Sequence, residues 1–567
     1  MWAAWCWNTA WMASGRLEHA AFRRDMRQPA KAQQQLLLQM LAANRDSDFG
    51  RQHNFSRIRS AADFQQRVPP ATYDDFRPYI DRIGRGETNV LTTEPVTCLH
   101  PTGGSSGGEK LIPYTRSLRR QFQRALRVWI ADLFAHCPAV RRGRAYWSLS
   151  PALGPMRRSP GGIAIGFEDD TEYLGVAARW AARQLLVAPN WLAQIPNLET
   201  FRYLTLWHLL AADDLALISV WSPTFLTGLL RDLDRWRLPL LDDLATGRRS
   251  SRIPESLHAA AHQTYDVHAR RRIDHLRAVL SAQELTPAAM RELWPRLALV
   301  SCWADGPSTG PFDELKNMLP DVAFQPKGLL ATEGFTSIPL WNRPAAAVAT
   351  RSHFFEFIEE NTDATAARPR LVHELETGGR YEVMLTTAGG LYRYRTGDCV
   401  EVVDHAESCP LIRFEGRCDG TSDLVGEKLS SAQVDSVLQS LWLRLGQRPS
   451  FALLTTPASQ PPRYRLYLQG KNFDADRLAD AANWLEQKLA ANPHYRYAVG
   501  LRQLDPIEIV LLDPAGPAAW DLYCRQRAAL GQRWGDIKPT VLDRSCDWTP
   551  TFAPLLIARF TSVDKPT

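Results

Sequence analysis

The segment Thr102 to Thr115, TGGSSGGEKLIPYT, limits what this chain can fold into more than any other stretch. Residues 103–108 are four glycines and two serines. Backbone without Cβ atoms can turn successive N–H groups inward, hydroxyls add donors, and Lys110 adds positive charge. This is the composition of a phosphate-binding nest. Glycine-serine loops also serve as plain flexible connections. Two sharper readings compete with the nest. A Walker loop needs Lys directly after its last Gly and then a Ser or Thr opening a helix. Here Glu109 intervenes, and the apolar Leu111-Ile112-Pro113 that follows Lys110 looks like a strand. A serine nucleophile elbow fits formally around Ser105, as G-x-S-x-G from Gly103 to Gly107, but needs a helix directly after the serine. The next helix starts only after Pro113, with Thr115 as its cap. The pattern predicts a phosphate loop between two strands, the first near Val96 to His100, in an α/β fold.

Length and composition set the scale. The 567 residues are 45% hydrophobic and 23% charged, with 34 Gly and 38 Pro. Disordered, collagen-like and disulfide-stapled chains are excluded, and there is material for a large core. The net charge of +6 is spread over the whole length. Short Arg clusters (Arg141, Arg142 and Arg144; Arg270 to Arg272) read as solvated faces, and no nucleic-acid partner is expected. Nine lysines stand against 58 arginines, so each lysine is a rarer choice; Lys110, Lys428 and Lys538 fall in glycine-bearing segments. Nine cysteines lie singly between Cys6 and Cys546 with no CxxC. Their scatter predicts free thiols in a reducing, cytoplasmic setting, with neither a disulfide framework nor a zinc site. The Trp-rich start, Met1 to Gly15, is too short to span a bilayer and reads as an amphipathic helix without stable membrane association.

Helical patterns fill much of Ala30 to Ala43, Ser117 to Phe134, Phe201 to Leu233 and Asp474 to Ala491. Strand-like runs occur at Ala298 to Trp303, Tyr381 to Thr387, Tyr392 to Arg395 and Cys399 to Val403. Others are Phe451 to Thr455, Tyr464 to Gln469 and Ile507 to Leu512. GRCDGTSDLVG, near Gly416 to Gly426, is the best boundary, because three glycines and two aspartates separate strand-like from helical sequence.

Five ordered segments carry a resemblance. They are the glycine loop with its upstream run NRDSDFGRQHNFSRI and YDDFRPYIDRIGRGETNVLTTEPV; ISVWSPTFL; ATEGF; LYRYRTGD; and SDLVGEKLS followed much later by GDIKP. Together they resemble the Gretchen Hagen family of auxin-responsive acyl-acid amido synthetases, within the adenylate-forming superfamily. The resemblance runs from about Asn44 to Lys538. It implies an α/β, adenylate-forming two-domain architecture. A large N-terminal domain of β-sheets and barrel flanked by helices (residues 1–415) would bind ATP and the acyl acid. A hinge (416–426) and a small mobile α/β C-terminal domain (427–567) would follow.

The resemblance also implies roles. Ser105, Ser106, Gly107 and Lys110 would cover the β- and γ-phosphates of ATP, on a loop one residue shorter than the family's. Thr332 would hydrogen-bond the α-phosphate and Glu333 would hold Mg²⁺, a hard ion suited to oxygen ligands. Leu329 occupies the position of the aromatic that usually stacks on adenine. Asp398 would accept from the ribose hydroxyls, Arg417 would contact the nucleotide, and the hinge glycines would let the small domain rotate. Lys538 would reach the carboxylate and α-phosphate as charge builds in the transition state. Trp221 and Phe225 would line the acyl pocket, although aromatics on apolar stretches also build cores. The implied reaction joins a small carboxylic acid to an amino acid with release of pyrophosphate and AMP. Acyl transfer to a thiol such as coenzyme A, or a catalytically weak nucleotide-binding protein, are the alternatives. His373-Glu374 lacks a second His at metal-binding spacing and reads as a strand-end pair.

Overall fold

The computed structural model describes residues 2–103, 109–147, 157–166, 185–195, 197–246, 270–281, 285–359, 368–418, 421–422, 424–425, 427, 429–501, 503–530, 532, 534 and 537–562. The chain divides into two compact units. One comprises Met1–Thr102, Lys110–Thr396 and Val400–Phe414; the other comprises Gly103–Glu109, Gly397–Cys399 and Glu415–Thr567.

The first unit contains a four-stranded, fully parallel sheet in the order Arg144–Trp147, Leu215–Ser219, Leu299–Cys302, Ala323–Pro326. Its inner strands are almost wholly apolar, Ser219 and Ser301 apart, because both faces are covered. Leu217 and Leu299 point into one core cluster, with Trp129 of helix Arg116–His136. Ile218 and Val300 point into another, with helices Leu198–Ala211, Pro223–Thr246 and Thr309–Met318. The strand Leu215–Ser219 interrupts the helical run expected over Phe201 to Leu233. A short apolar stretch has no period that tells helix from buried strand.

A seven-stranded sheet runs Arg370–Leu371, Phe354–Glu359, Arg380–Thr386, Tyr394–Ala406, Cys409–Arg417, Ala346–Val348, Ser337–Ile338. The runs expected at Tyr392 to Arg395 and Cys399 to Val403 are one strand beginning at Tyr394. Gly397 inside it has φ +73°, a conformation that glycine adopts without Cβ strain. His373-Glu374 falls in a short 3₁₀ turn, Val372–Glu374, after strand Arg370–Leu371.

The glycine loop joins strands Cys98–Gly103 and Glu109–Tyr114 of a third sheet, as its pattern predicts. Helix Arg116–His136 starts only afterwards, and the Thr115 hydroxyl accepts from Leu118 N–H at 3.1 Å. That order excludes a nucleophile elbow at Ser105. The Trp-rich start is the helix Trp2–Asp25, whose Trp11 turns inward, edge-on to Phe134 at 6.2 Å and 5.7 Å from Trp147. Among the described residues no helix is long and apolar enough to cross a membrane.

The second unit is built on a mixed five-stranded sheet ordered Leu542–Asp543, Phe451–Thr455, Arg463–Gln469, Asp505–Leu512, Leu556–Thr561. Helices Ser431–Leu445, Ala475–Leu489 and Pro493–Gly500 cover one face, and Ala519–Ala529 and Thr549–Phe552 the other.

One expectation is overturned. Cys399 and Cys418 form a disulfide across 5.5 Å between Cα atoms, while Cys6, Cys98, Cys137, Cys302, Cys409, Cys524 and Cys546 are free. The two residues are 19 apart in sequence, and only the return of one strand beside the other brings them together. Scattered single cysteines carry no sign of that register.

Candidate functional site

Thr332 and Glu333 occupy the tip of a tight hairpin. Leu330 and Phe335 pair across it, Ala331 N–H donates to Gly334 O at 3.0 Å, and Gly334 N–H donates back at 3.2 Å. Both tip side chains are half-buried. The hairpin is held from beneath. Tyr114 Oη donates to Thr332 O at 2.6 Å, and buried His353 Nε2 accepts from Phe335 N–H at 2.9 Å. His353 Nδ1 lies 3.1 Å from Gln121 Oε1, and the Gln121 oxygen also accepts from Ala388 N–H at 2.9 Å. With one ring nitrogen accepting and the other donating, the imidazole is neutral. Burial pulls its pKa down to about 3. A Cβ on Gly334 would sit 3.1 Å from the His353 ring. Leu329, at the position of the expected adenine-stacking aromatic, is 6% exposed and belongs to the core. The donor set at the tip, one carboxylate beside one hydroxyl, suits Mg²⁺, which keeps several waters and takes phosphate oxygens rather than a full protein cage.

In the LYRYRTGD segment, structural side chains stand beside the expected nucleotide residue Asp398. Buried Tyr392 Oη donates to Leu91 O at 2.9 Å. Arg393, 2% exposed with φ +48°, grips Glu356 with Nε at 3.1 and 3.0 Å from its two oxygens, and donates to Val68 O at 2.6 Å. Arg395 pairs with Glu382 at 2.6 Å, and Thr396 Oγ1 donates to Val383 O at 2.8 Å. Arg395 and Thr396 tie neighbouring strands together, and Arg393 ties its segment to strand Phe354–Glu359 and to the end of helix Ala61–Arg67. Asp398, 8% exposed, takes Arg417 Nη1 at 3.1 Å, so two expected nucleotide residues are brought together. Their neighbours Cys399 and Cys418 are the disulfide pair, and Cys418 N–H donates to Gly397 O at 2.7 Å.

Of the phosphate-loop residues, Ser105, Ser106 and Gly107 lie outside the described residues. Lys110 is half-buried on strand Glu109–Tyr114, with Nζ 5.7 Å from the Tyr73 ring centre. Lys538 is half-buried beside Ile537, which is 2% exposed among Trp548 and Phe552 and anchors the segment. In SDLVGEKLS the sequence reading passed over Glu427. Its fully buried carboxylate accepts from Leu424 and Val425 N–H at 2.8 and 2.9 Å and from the Tyr464 hydroxyl, and so shapes the turn. Nothing in the local sequence distinguishes it from a surface acid.

The two expected acyl-pocket aromatics part company. Phe225 packs 6.3 Å from Phe201 in the cluster of helices Leu198–Ala211 and Pro223–Thr246. Trp221 stays partly exposed beyond the carboxyl end of strand Leu215–Ser219, with the Lys327 ammonium 5.1 Å from its ring centre. Carboxyl ends of parallel strands are where open α/β sheets bind ligands. Lys327 was not singled out by the sequence, although it is one of only nine lysines.

Comparison with known proteins agrees with the motif pattern. Residues 18–324 match the GH3 family N-terminal domain, and residues 346–417 the GH3 family central domain. The indole-3-acetic acid-amido synthetase GH3.3 of Arabidopsis thaliana is 22% identical over 515 residues, covering 84% of each chain. Jasmonoyl--L-amino acid synthetase JAR4 of Nicotiana attenuata is 22% identical over 401 residues, covering 68% of each. The structure of the AtGH3.15 acyl acid amido synthetase in complex with 2,4-DB superposes with a TM-score of 0.84 at 19% identity, over 97% of this chain and 98% of that one. With more than half of its length matched by the family's N-terminal domain alone, the chain belongs to the GH3 family.

Proposed function

We propose that this chain is an ATP-dependent acyl-acid amido synthetase, a carbon–nitrogen ligase that adenylates a small carboxylic acid and passes the acyl group to an amino acid. The observation that carries the reading is co-extension. A relative named as an amido synthetase runs beside this chain for 84% of both lengths, which argues for a whole enzyme rather than one nucleotide-binding part.

The acid's carboxylate attacks the α-phosphorus in line, and pyrophosphate leaves with the bonding electron pair. The amine then attacks the acyl carbon of the adenylate, loses its proton, and AMP departs. No protein nucleophile is needed, so the residues' work is positioning and charge neutralisation. In this reading Ser105, Ser106, Gly107 and Lys110 hold the β- and γ-phosphates, and Thr332 donates to the α-phosphate from its braced hairpin. Asp398, held by Arg417, accepts from the ribose hydroxyls. Glu333 would hold Mg²⁺, which when bound neutralises phosphate charge. Lys538 places an ammonium where charge develops.

Carboxylate-dependent ATP–pyrophosphate exchange over aryl, indolyl and aliphatic acids, without amine or coenzyme A, tests the first step. Exchange is expected with at least one acid. Adding amino acids should then drive AMP release, whereas release only with coenzyme A would select the thiol reading. Lys538→Ala should lower exchange about 100-fold, roughly 2.7 kcal/mol of transition-state stabilisation, while ATP binding stays within about threefold. No exchange in folded, ATP-binding protein would refute adenylation.

A further inference from the structure

Two cross-strand rows lie at the carboxyl end of the parallel sheet. In the first, Trp147 pairs with Ser219, Ser219 with Ser301, and Ser301 with Gln325. Two residues further along each strand, on the same face by the alternation of strand side chains, come Trp221, Trp303 and Lys327. Trp303 N–H donates to Trp221 O and Lys327 N–H to Cys302 O, both at 2.9 Å, so the ladder continues into this row. Trp129 of helix Arg116–His136 covers the face, its indole N–H donating to Gln325 Oε1 at 2.9 Å.

Lys327 is the unusual member. Its side chain is 8% exposed, and Nζ lies between the Trp129 and Trp221 rings, 4.7 and 5.1 Å from their centres. It donates one hydrogen bond, to Ser219 Oγ at 2.8 Å. Among the described residues no carboxylate lies within ion-pairing distance of it. A lysine kept for stability would be paired, because burying an unpaired ammonium is costly and a methionine would fill the space without that cost. Two neighbours point the same way. Gln325, 5% exposed, leaves Nε2 without a hydrogen-bond partner, and Ser301, fully buried, leaves Oγ without one. Buried polar groups of native proteins are nearly always satisfied, so two unsatisfied atoms beside one unpaired ammonium call for a partner, which a bound anion would supply. Indole walls, an ammonium with two unused protons, an amide donor and a hydroxyl make a site for a carboxylate attached to an apolar body. Trp221 is the partly exposed member of the group.

We propose that Lys327 is the anion-recognition residue for the acid this enzyme takes, its ammonium pairing with a carboxylate oxygen of that acid between Trp129 and Trp221. The inference rests on the adenylation reading for its catalytic meaning and not for the binding itself. It makes the acid a recognised anion rather than a purely apolar guest, and it makes Lys327 a specificity-determining position. Burial draws the Lys327 pKa down to about 7. Cys302, on the adjacent strand, is the titratable neighbour; burial pushes its thiol up to about 12, so it stays protonated and does not compete. Pairing with an anion restores the ammonium, so binding at pH 8 takes up protons.

The test is calorimetric binding of indole-3-acetate, benzoate and glutarate to the full chain and to Lys327→Met, in buffers of different ionisation enthalpy, with indole-3-acetamide as the uncharged control. Lys327→Met should weaken at least one acid about 10- to 100-fold, the loss of one charge-assisted hydrogen bond, abolish proton uptake, and leave the amide and ATP unaffected. It should also raise the melting temperature, which a structural lysine would not do, and Lys327→Arg should recover part of the affinity. A loss confined to glutarate would identify a second carboxylate as the partner, and a loss with the monoacids the reacting one; both support the inference. Unchanged acid affinity, or a wild-type protein that binds none of the three acids, overturns it. Lysine-dependent binding without ATP–pyrophosphate exchange would overturn adenylation and leave the anion site standing.

Discussion

Replacing Arg393 with methionine tests the scaffold role of the LYRYRTGD segment apart from its proposed nucleotide role. Arg393 is 2% exposed and Glu356 is 1% exposed, and the guanidinium meets both carboxylate oxygens at 3.0–3.1 Å. It also donates to Gln65 O at 2.9 Å and Val68 O at 2.6 Å, tying the end of helix Ala61–Arg67 to the seven-stranded sheet. Without it, Glu356 keeps the Gln65 Nε2 bond at 2.9 Å but loses its counter-charge. Breaking one side of a buried pair costs about 3–5 kcal/mol, most of it the penalty of the charge left behind. The first unit has about 400 residues, and unfolding entropy is about 2.1 cal/mol/K per residue, so the melting temperature should fall by about 4–6 °C. Calorimetry reads this directly. Arg393→Met with Glu356→Gln should regain at least half of the loss, because no buried charge remains. ATP–pyrophosphate exchange well below the transition should stay within about threefold, since the arginine's partners are all structural. A melting temperature within 1 °C of wild type, or a double variant as unstable as the summed singles, would refute the reasoning.

Three further outcomes are expected. Lys327 has a folded-state pKa of about 7 against a model-compound value of 10.5, so between these values the unfolded chain binds more protons and stability rises with pH. The rise, at most about 5 kcal/mol from the pKa difference, should be lost in Lys327→Met, as denaturant titrations between pH 6.5 and 10 would show. His353→Leu leaves Phe335 N–H without its acceptor, costing about 1–3 kcal/mol, and lowers the exchange rate by loosening the Thr332–Glu333 hairpin. His353→Gln, which can still accept, should restore much of the rate; with the His353 pKa near 3, the wild-type rate above pH 5 should not titrate with this ring. Alkylation under denaturing, non-reducing conditions should label seven cysteines and leave one cross-linked peptide pair containing Cys399 and Cys418; nine labelled cysteines in freshly oxidised protein would contradict the pairing.

The elements around the nucleotide motifs were the most legible, because their signals are local. Thr115 caps the helix that begins at Arg116, and Asp474 caps the helix over Ala475–Leu489; an oxygen side chain before an apolar period is readable without any partner. The strands Phe451–Thr455 and Arg463–Gln469 pair as their alternation suggests. Ordered glycine, Thr-Glu and Gly-Asp motifs identified the family because spacing along a chain is a sequence property. Glu427, His353 and Arg393 were not legible as structural supports, because each acts on a partner between 18 and 328 residues away.

By itself, then, the sequence determined an α/β chain, a glycine-serine loop set between strands and a set of family motifs in order, since all of these follow from local stereochemistry and linear spacing. Tertiary structure alone decided that Cys399 meets Cys418, that Phe225 packs in the core while Trp221 stays partly exposed, and that Lys327 is desolvated beside two indoles with no carboxylate among the described residues in ion-pairing reach. Those outcomes depend on strand register and on which face of a sheet each helix covers, and a charge's cost or use is set by the groups that folding places around it.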